Sequence, residues 1–370
     1  MIFTIFIAFI SIIGLLVLHE FGHFIIAKKF GVRVDEFGIG YPPRLYGKKI
    51  GETLYSLNLL PFGAFVRIPG EIEKIEDERS FSSQSLWKRA LIVAGGVLSF
   101  WIMAAVIFSI VFAFGTQVAV SDEEANLKDA KVQVLAINPG SPAKEAGLEP
   151  GDIIKQLTIN PEKKSGISDG AGIQQLTINK VKEVQELTGE YKGQEMILTI
   201  QRGKDIFDVK LTPRVSPPKG EGPMGVTLAR TALKSYSWYE APWRGIRATV
   251  SMTGAIVQGY SQAINKMLSK QPSGVELVGP VGVFQLLTQA SRLGVSNFLQ
   301  FIGMLAIYMA IFNILPIPAV DGGKLLFLGI EAVRRKPVSE KTEQSITTFC
   351  FMLLLVLMVL VTIKDIIRIF

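Results

Sequence analysis

The sequence predicts an α-helical membrane protein that crosses the bilayer about four times and carries a membrane-associated β-hairpin region and an inserted β-rich domain. Hydrophobic residues make up 49% of the 370 positions, which is high for a water-soluble protein, yet charged residues still reach 19%. The hydrophobic residues concentrate in four long stretches, and most charged residues lie between them. The chain therefore needs both a membrane part and a solvated part.

Four stretches are long and apolar enough to span a bilayer. A hydrocarbon core about 30 Å thick needs roughly 20 helical residues at about 1.5 Å each. We predict transmembrane helices within residues 1–30, 90–115, 296–323 and 346–368. The first stretch has no basic leader and no small-residue cleavage pattern, so we interpret it as a retained helix and not as a signal peptide.

The basic residues predict the orientation of these spans. Lys and Arg number 11 in residues 24–89 and five in residues 322–345. Short basic connections stay in the cytoplasm, whereas a long loop such as residues 115–297 counts little. We therefore expect the connections 71–89 and 324–345 to be cytoplasmic and the large insert to be extracytoplasmic. The net charge of +7 suits contact with an anionic lipid bilayer, and no basic-aromatic pattern indicates nucleic-acid binding.

An H-E-x-x-H motif stands at the end of the first apolar stretch. His19 and His23 are four residues apart, so on one helix both imidazoles project from the same face and can bind one metal ion. Glu20 lies beside them, where a general base must lie to take a proton from water. The alternative is a helix end with two incidental histidines. Ionisable residues inside a bilayer are costly, which favours the functional interpretation.

The third metal ligand must be an oxygen donor. A catalytic zinc site commonly takes three protein ligands, but this chain has two histidines and one cysteine, Cys350, which lies in the last apolar stretch. The best candidate is Asp321, which follows a Pro-x-Pro break at the cytoplasmic end of the third span. As an alternative, Asp321-Gly-Gly could be a simple helix-ending turn. Glu331 and Asp365 are weaker candidates because they flank other segments.

Residues 31–70 alternate apolar and polar positions around Gly and Pro turns, which predicts short strands at 33–40, 53–58 and 64–68. This region follows the metal motif directly, so it could re-enter the membrane and offer a strand edge, including Gly63 and Phe65, to an extended peptide. An ordinary cytoplasmic hairpin is the alternative.

Asn313 precedes the Pro-x-Pro break of the third span. Its side-chain amide could hold a substrate carbonyl, or it could only satisfy backbone groups that the prolines free.

The insert at residues 116–230 contains strand-like runs at 131–137, 152–158, 195–201 and 205–211, and a helix at 141–146 with Gly147 as its C-cap. Its stretch Asn138-Pro-Gly-Ser-Pro, followed by Glu149-Pro-Gly-Asp-Ile-Ile, resembles bacterial PDZ domains, which bind peptide ends at a sheet edge. Residues 160–174 are predicted to be a surface insertion.

The sequence of residues 231–295 predicts an interfacial amphipathic segment with aromatic anchors. A linker packed on the helices is the alternative.

Taken in order, these motifs resemble the site-2 protease family over nearly the whole chain. They are the H-E-x-x-H helix, the Phe37-Gly-Ile-Gly region, the PDZ-like insert, Gly279-Pro-Val-Gly, and the segment from Asn313 to Asp321-Gly. The chain looks like a bacterial regulator-of-sigma-E-type zinc protease with one PDZ domain. Two departures are visible: Ser99 stands where the family often has Asn, and Val320 replaces the usual leucine.

The resemblance implies an intramembrane zinc endopeptidase of the bacterial inner membrane, with the active site near the cytoplasmic face. Its Zn²⁺ ligands would be His19, His23 and Asp321, and its base Glu20. Its substrates would be single-span proteins such as anti-sigma factors or remnant signal peptides, and a peptide C-terminus could bind the PDZ domain. The alternatives are a non-enzymatic PDZ scaffold with a structural metal, which would need a fourth ligand, and a metal transporter, which would need ionisable residues along several spans.

Overall fold

A computed structural model describes residues 2–73, 75–125, 127, 129–159, 174–218, 220–269, 271, 277–292 and 294–369. They form two compact units. The first comprises Met1–Val111, Trp238–Ser291 and Asn297–Phe370, and the second Phe112–Ser237 and Arg292–Ser296. The helices are α1 (Ile2–Lys29), α2 (Leu86–Phe114), α3 (Pro142–Glu145), α4 (Val181–Glu190), α5 (Ala241–Leu268), α6 (Pro280–Arg292), α7 (Val295–Ile314), α8 (Asp321–Arg334) and α9 (Glu340–Ile369).

Four of the described helices are long and apolar enough to cross a membrane. The candidate spans are Phe6–Lys29 in α1, Leu86–Phe114 in α2, Val295–Ile314 in α7 and Glu340–Arg368 in α9. The prediction of about four spans is confirmed. Within the predicted interfacial range 231–295, the structure places α5 and α6, and the Gly282 amide at the start of α6 donates to Asp365 Oδ2 of α9 at 2.7 Å.

Two long strands follow α1 in the first unit, β1 (Glu36–Ile50) and β2 (Thr53–Arg67). Residues 36–39 pair on one side with residues 54–57 and on the other side, in the opposite direction, with residues 64–67. Residues 44–50 pair with the near part of β2. Among the described residues, segment 64–67 pairs on one side only, so it forms an edge of this sheet.

The prediction of three short strands in this region is wrong in its boundaries. The predicted proline turns do not end the strands, because β1 continues through Pro42 and Pro43 and β2 continues through Pro61. The register of the β1–β2 pairing shifts between Tyr41 and Arg44, and a proline is tolerated where a ladder hydrogen bond is not required. The far part of the hairpin exposes Leu45, Ile50 and other large apolar side chains.

The second unit is built on a sheet of β3 (Thr116–Val120), β4 (Lys131–Ile137), β5 (Ile153–Ile159), β6 (Gln174–Thr177), β7 (Met196–Arg202), β8 (Asp205–Leu211) and β9 (Val226–Lys234). The strand order is β3-β9-β4-β5-β7-β8, and β6 pairs with β5. One face of the sheet packs with α3 and α4 around a core that includes Val134, Leu157, Val184, Leu198 and Ile200.

Most of the predicted elements of this unit are confirmed. Strands β4 and β8 have the predicted bounds, and β5 and β7 begin and end one residue later than predicted. The helix near residue 141 is also confirmed, because the Ser141 hydroxyl accepts the Lys144 amide and Gly147 ends the turn with φ +79°. Strands β3, β6 and β9 and helix α4 were missed. The predicted insertion 160–174 lies outside the described residues except for Gln174, which begins β6.

A buried ion pair holds the Pro-Gly-Asp turn of the second unit. Asp152 is fully buried, and Arg202 donates to its two oxygens at 2.7 and 2.8 Å. These hydrogen bonds raise the pKa of the Arg202 guanidinium above its ordinary value. We expect Asp152→Asn to lower the free energy of unfolding of this unit by about 2–3 kcal/mol, because a buried charge-assisted pair is lost while Arg202 remains.

This effect is measured as faster amide hydrogen exchange of β5 and β7 in the full-length Asp152→Asn variant. The matched control is Glu149→Gln, since Glu149 contacts the same Arg202 from an exposed position at 3.1 Å. The control should leave the exchange nearly unchanged. Equal exchange in the two variants would show that the buried Asp152–Arg202 pair contributes no more to the stability of this unit than the exposed Glu149–Arg202 contact.

Candidate metal centre

The two histidines of α1 point at one another across a single helical turn. Both side chains are buried, and their Nε2 atoms lie 3.4 Å apart. An apolar helix of this length places residues i and i+4 on the same face, so the sequence alone accounts for this approach. The rest of the geometry comes from α2 and α8.

Helix α2 fixes the orientation of both rings. The Nδ1–H of His23 donates to the Ile92 carbonyl at 2.9 Å, and since a carbonyl can only accept, the neutral imidazole keeps its lone pair on Nε2. The His19 ring stacks on Phe100 with centroids 4.6 Å apart. Both rings are therefore held with Nε2 toward a common point.

Helix α8 supplies the third group. Helix α7 ends at Ile314, the chain turns through the Pro-x-Pro loop, and α8 begins at Asp321. A Cβ on Gly322 would lie 2.0 Å from the Leu315 carbonyl oxygen, and one on Gly323 would lie 2.5 Å from the Ile317 oxygen. The two glycines are therefore required for α8 to start this close to the loop, and their packing is what delivers Asp321.

His19, His23 and Asp321 together form a group that could hold a metal ion. Asp321 Oδ2 lies 3.2 Å from His19 Nε2 and 3.3 Å from His23 Nε2, and with the 3.4 Å between the nitrogens this makes a nearly equilateral triangle. Ligands about 2.0–2.1 Å from a tetrahedral zinc lie roughly 3.3–3.4 Å from one another. Asp321 Oδ2 is buried without a hydrogen-bond partner, as expected for an atom that binds a cation. The site fits zinc.

Comparison with known proteins assigns the family. Peptidase family M50 matches residues 7–357. A putative zinc metalloprotease of Clostridium perfringens is 33% identical over 366 residues, 97% of each chain. The regulator of sigma-W protease RasP of Bacillus subtilis is 28% identical over 446 residues, 98% of each chain. The zinc metalloprotease RasP of Oceanobacillus iheyensis is 29% identical over 452 residues, 98% of this chain and 99% of its own.

The chain belongs to peptidase family M50. It is a membrane protein and a zinc metalloendopeptidase of the site-2 type, so the resemblance inferred from its motifs is confirmed. The peptidase family also favours the protease over the scaffold and the metal transporter considered as alternatives.

Two other predicted residues of this M50 protease line the same cavity as His19 and Asp321. We call His19, His23 and Asp321 the metal group. The cavity has a volume of about 450 Å³ and is lined by His19, Glu20, Asn313 and Asp321 among others. Glu20 Oε2 accepts the Val66 amide of β2 at 3.1 Å, and the Asn313 amide donates to the Met309 carbonyl at 2.9 Å. Glu20 and Asn313 thus share one cavity with two of the three candidate ligands.

The remaining candidates lie elsewhere. Gly63 and Phe65 are on β2, where Phe65 stacks on Tyr41 with centroids 6.1 Å apart and a buried Gly63 has φ +142°. The described lining of the metal cavity does not include them. The weaker ligand candidates are occupied: Glu331 pairs with Arg89 at 2.6 Å, and Asp365 accepts the amide at the start of α6.

Sequence reasoning missed the glycines that bring α1 and α2 together. A Cβ on Gly22 would lie 2.3 Å from the Gly95 carbonyl oxygen, and a Cβ on Gly96 would lie 2.1 Å from His23 Nε2. Small residues on facing helices are the usual means of close packing in membranes, so the Gly95-Gly96 pair was an available signal. Ser99, the departure from the family pattern, donates to the Gly96 carbonyl at 2.6 Å.

Proposed function

We propose that this M50 protease hydrolyses peptide bonds within the membrane segments of single-span proteins, with zinc bound by His19, His23 and Asp321 and with Glu20 as the general base. The observation that carries the proposal is the triangle of three ligand atoms in one cavity with Glu20. Two histidines and one carboxylate leave a fourth tetrahedral position for water or substrate. When bound, Zn²⁺ polarises the scissile carbonyl and acidifies the attacking water.

Glu20 moves the proton in this scheme. Its Oε2 accepts the Val66 amide at 3.1 Å, which fixes the side chain in the cavity. The carboxylate takes a proton from the attacking water and delivers it to the leaving amine. Asn313 has a second amide N–H besides the one bonded to Met309, and it would donate to the substrate carbonyl as negative charge develops.

An extended substrate would bind along the edge segment 64–67 of β2. This edge carries Phe65 and follows Gly63, and its Val66 amide points at Glu20, so an added strand would run beside the catalytic base. A helical substrate must unwind first, because its carbonyls are engaged in i→i−4 hydrogen bonds, so glycine-rich segments should be preferred. The exposed apolar side chains at the far part of the hairpin support its insertion into the membrane.

The substrates would be single-span proteins such as anti-sigma factors or remnant signal peptides. A relative named regulator of sigma-W protease supports the first class. The enzyme would lie in the bacterial inner membrane with its active site near the cytoplasmic face, since the short connections around the metal motif are basic. The second unit would be an extracytoplasmic PDZ domain that binds a peptide C-terminus or excludes folded ectodomains. Helix α5 would lie at the membrane interface, with its exposed Trp243 as an anchor.

Removal and replacement of the metal test the proposal. We expect a chelator to abolish cleavage of a tagged single-span substrate by the purified protein in proteoliposomes, and added zinc to restore it. Asp321→Ala should lower the bound zinc to well below one ion per chain, because one of the three proposed ligands is lost. Asp365→Asn is the matched control, since it changes another carboxylate without touching the metal group. Full zinc content in Asp321→Ala would remove Asp321 from the ligand set.

A further inference from the structure

A lysine lies one helical turn beyond the third candidate ligand. Lys324 follows Asp321 by three residues on α8, so both side chains project from neighbouring positions on the same helix face. Lys324 lines the metal cavity and is the single lysine or arginine among its described lining residues. The carboxylates in that lining are Glu20, Glu71, Asp321, Glu340 and Glu343.

The partner of Lys324 is Glu71, which follows β2. The Lys324 ammonium donates directly to Glu71 Oε1. The chain between β2 and Glu71 is fixed, because Ile68 is buried in the apolar core with Leu328 of α8, and the Pro69 carbonyl accepts the Phe81 amide at 2.8 Å. A contact to Glu71 is therefore a contact to the end of β2.

The end of β2 is thus connected to both elements that carry the metal group. On one side the Val66 amide binds Glu20 of α1, which also carries the histidines. On the other side Glu71 binds Lys324 of α8, which carries Asp321. The Lys324 side chain is 43% exposed, and a partly exposed ion pair contributes little to folding stability.

We infer that Lys324 is a positioning residue for peptide hydrolysis: through Glu71 it fixes the substrate-binding edge 64–67 against the metal group and so selects which peptide bond is cut. The inference rests on the proposed function, in which the substrate adds to that edge. A strand that slides along the edge presents a different carbonyl to the site. Misplacement by about 1 Å is enough to reduce the rate of a positioned reaction severely.

A double-mutant cycle tests the pairing. Lys324→Gln and Glu71→Gln should each lower kcat/KM about tenfold, raise amide exchange at residues 64–68, and spread cleavage over neighbouring bonds in the mass spectrum of the products. The double variant should be no worse than either single one, because the pair is already broken. Lys324→Arg should keep the single cleavage position. Zinc content should stay at the wild-type level in all four variants.

The control is Lys336→Glu, which changes an exposed lysine that follows α8 and does not line the metal cavity. It should leave the cleavage position unchanged. Additive losses in the double variant, or lost activity with cleavage at the wild-type bond throughout, would overturn the inference. Failure of the proposed function is visible separately, as cleavage by the wild-type protein that survives zinc removal.

Discussion

Replacement of Glu20 by glutamine is expected to lower peptide cleavage by about 10²–10⁴-fold while the protein keeps its zinc. Glutamine has nearly the same shape, and its carbonyl oxygen can still accept the Val66 amide that Glu20 Oε2 accepts at 3.1 Å. The link between α1 and β2 should therefore survive. The amide of glutamine cannot take a proton from water. The lost activity would therefore report the role of Glu20 in proton transfer and not a change in the fold.

The measurement is turnover of a tagged single-span substrate in proteoliposomes, together with the zinc content of the same preparation. Glu76→Gln is the control, because it neutralises an exposed carboxylate in the segment after β2. Its turnover should equal that of the wild-type protein. A Glu20→Gln enzyme that retains wild-type turnover would rule out Glu20 as the base, and loss of zinc in that variant would show that the carboxylate supports the metal instead.

Replacement of Gly96 by alanine is expected to abolish zinc binding, although Gly96 is not a ligand. A Cβ there would lie 2.1 Å from His23 Nε2 and 2.4 Å from its Cε1, far inside van der Waals contact. Because Gly96 is on α2 and His23 is on α1, relief requires either rotation of the imidazole or separation of the two helices. Rotation breaks the His23–Ile92 hydrogen bond, and separation removes Phe100 from His19. Either change dismantles the metal triangle.

Zinc content and peptide cleavage should both fall to background in Gly96→Ala. Gly14→Ala is the matched control, because Gly14 is also a glycine in a candidate membrane span but has nothing within 4 Å of its added Cβ. That variant should bind zinc and cleave as the wild-type protein does. If Gly96→Ala binds zinc normally, the close contact between α1 and α2 is not needed for the site.

Close packing explains why this site can exist in a membrane. Apolar side chains gain nothing by leaving lipid for another helix, so helices associate through close contact of small residues and satisfied polar groups. In this chain Gly22 meets Gly95 and Gly96 meets His23, while Gly322 and Gly323 let α8 start against the Pro-x-Pro loop. The glycines thus allow the close packing that brings the three candidate ligands together.

Patterns with a short period were predicted well from the sequence. Four apolar stretches gave four candidate spans, because about 20 apolar residues have few other stable environments. The spacing of His19 and His23 determined their convergence, because one helical turn separates them. Strands β4, β5, β7 and β8 were found from local alternation, whereas β3, β6 and β9 were missed. Strands β3 and β9 pair with one another from opposite ends of the insert, and a strand stabilised by so distant a partner need not carry a strong local pattern. The predicted strands of the hairpin are shorter than the observed ones, because the local sequence does not indicate the irregular register that lets β1 and β2 continue through prolines.

The sequence by itself determined the metal chemistry of this protein, since two histidines on one turn and a scarcity of other ligands leave little choice but an oxygen donor such as Asp321. Only the tertiary structure decided the distances of 3.2–3.4 Å among the three atoms, the contact of Glu20 with β2 and the pairing of Lys324 with Glu71. The physical reason is range. Helix periodicity acts over a few residues, whereas the approach of residues 20, 66, 71 and 321 depends on how whole elements pack. A glycine pair such as Gly95-Gly96 indicates close packing, but the local sequence does not indicate which helix it contacts.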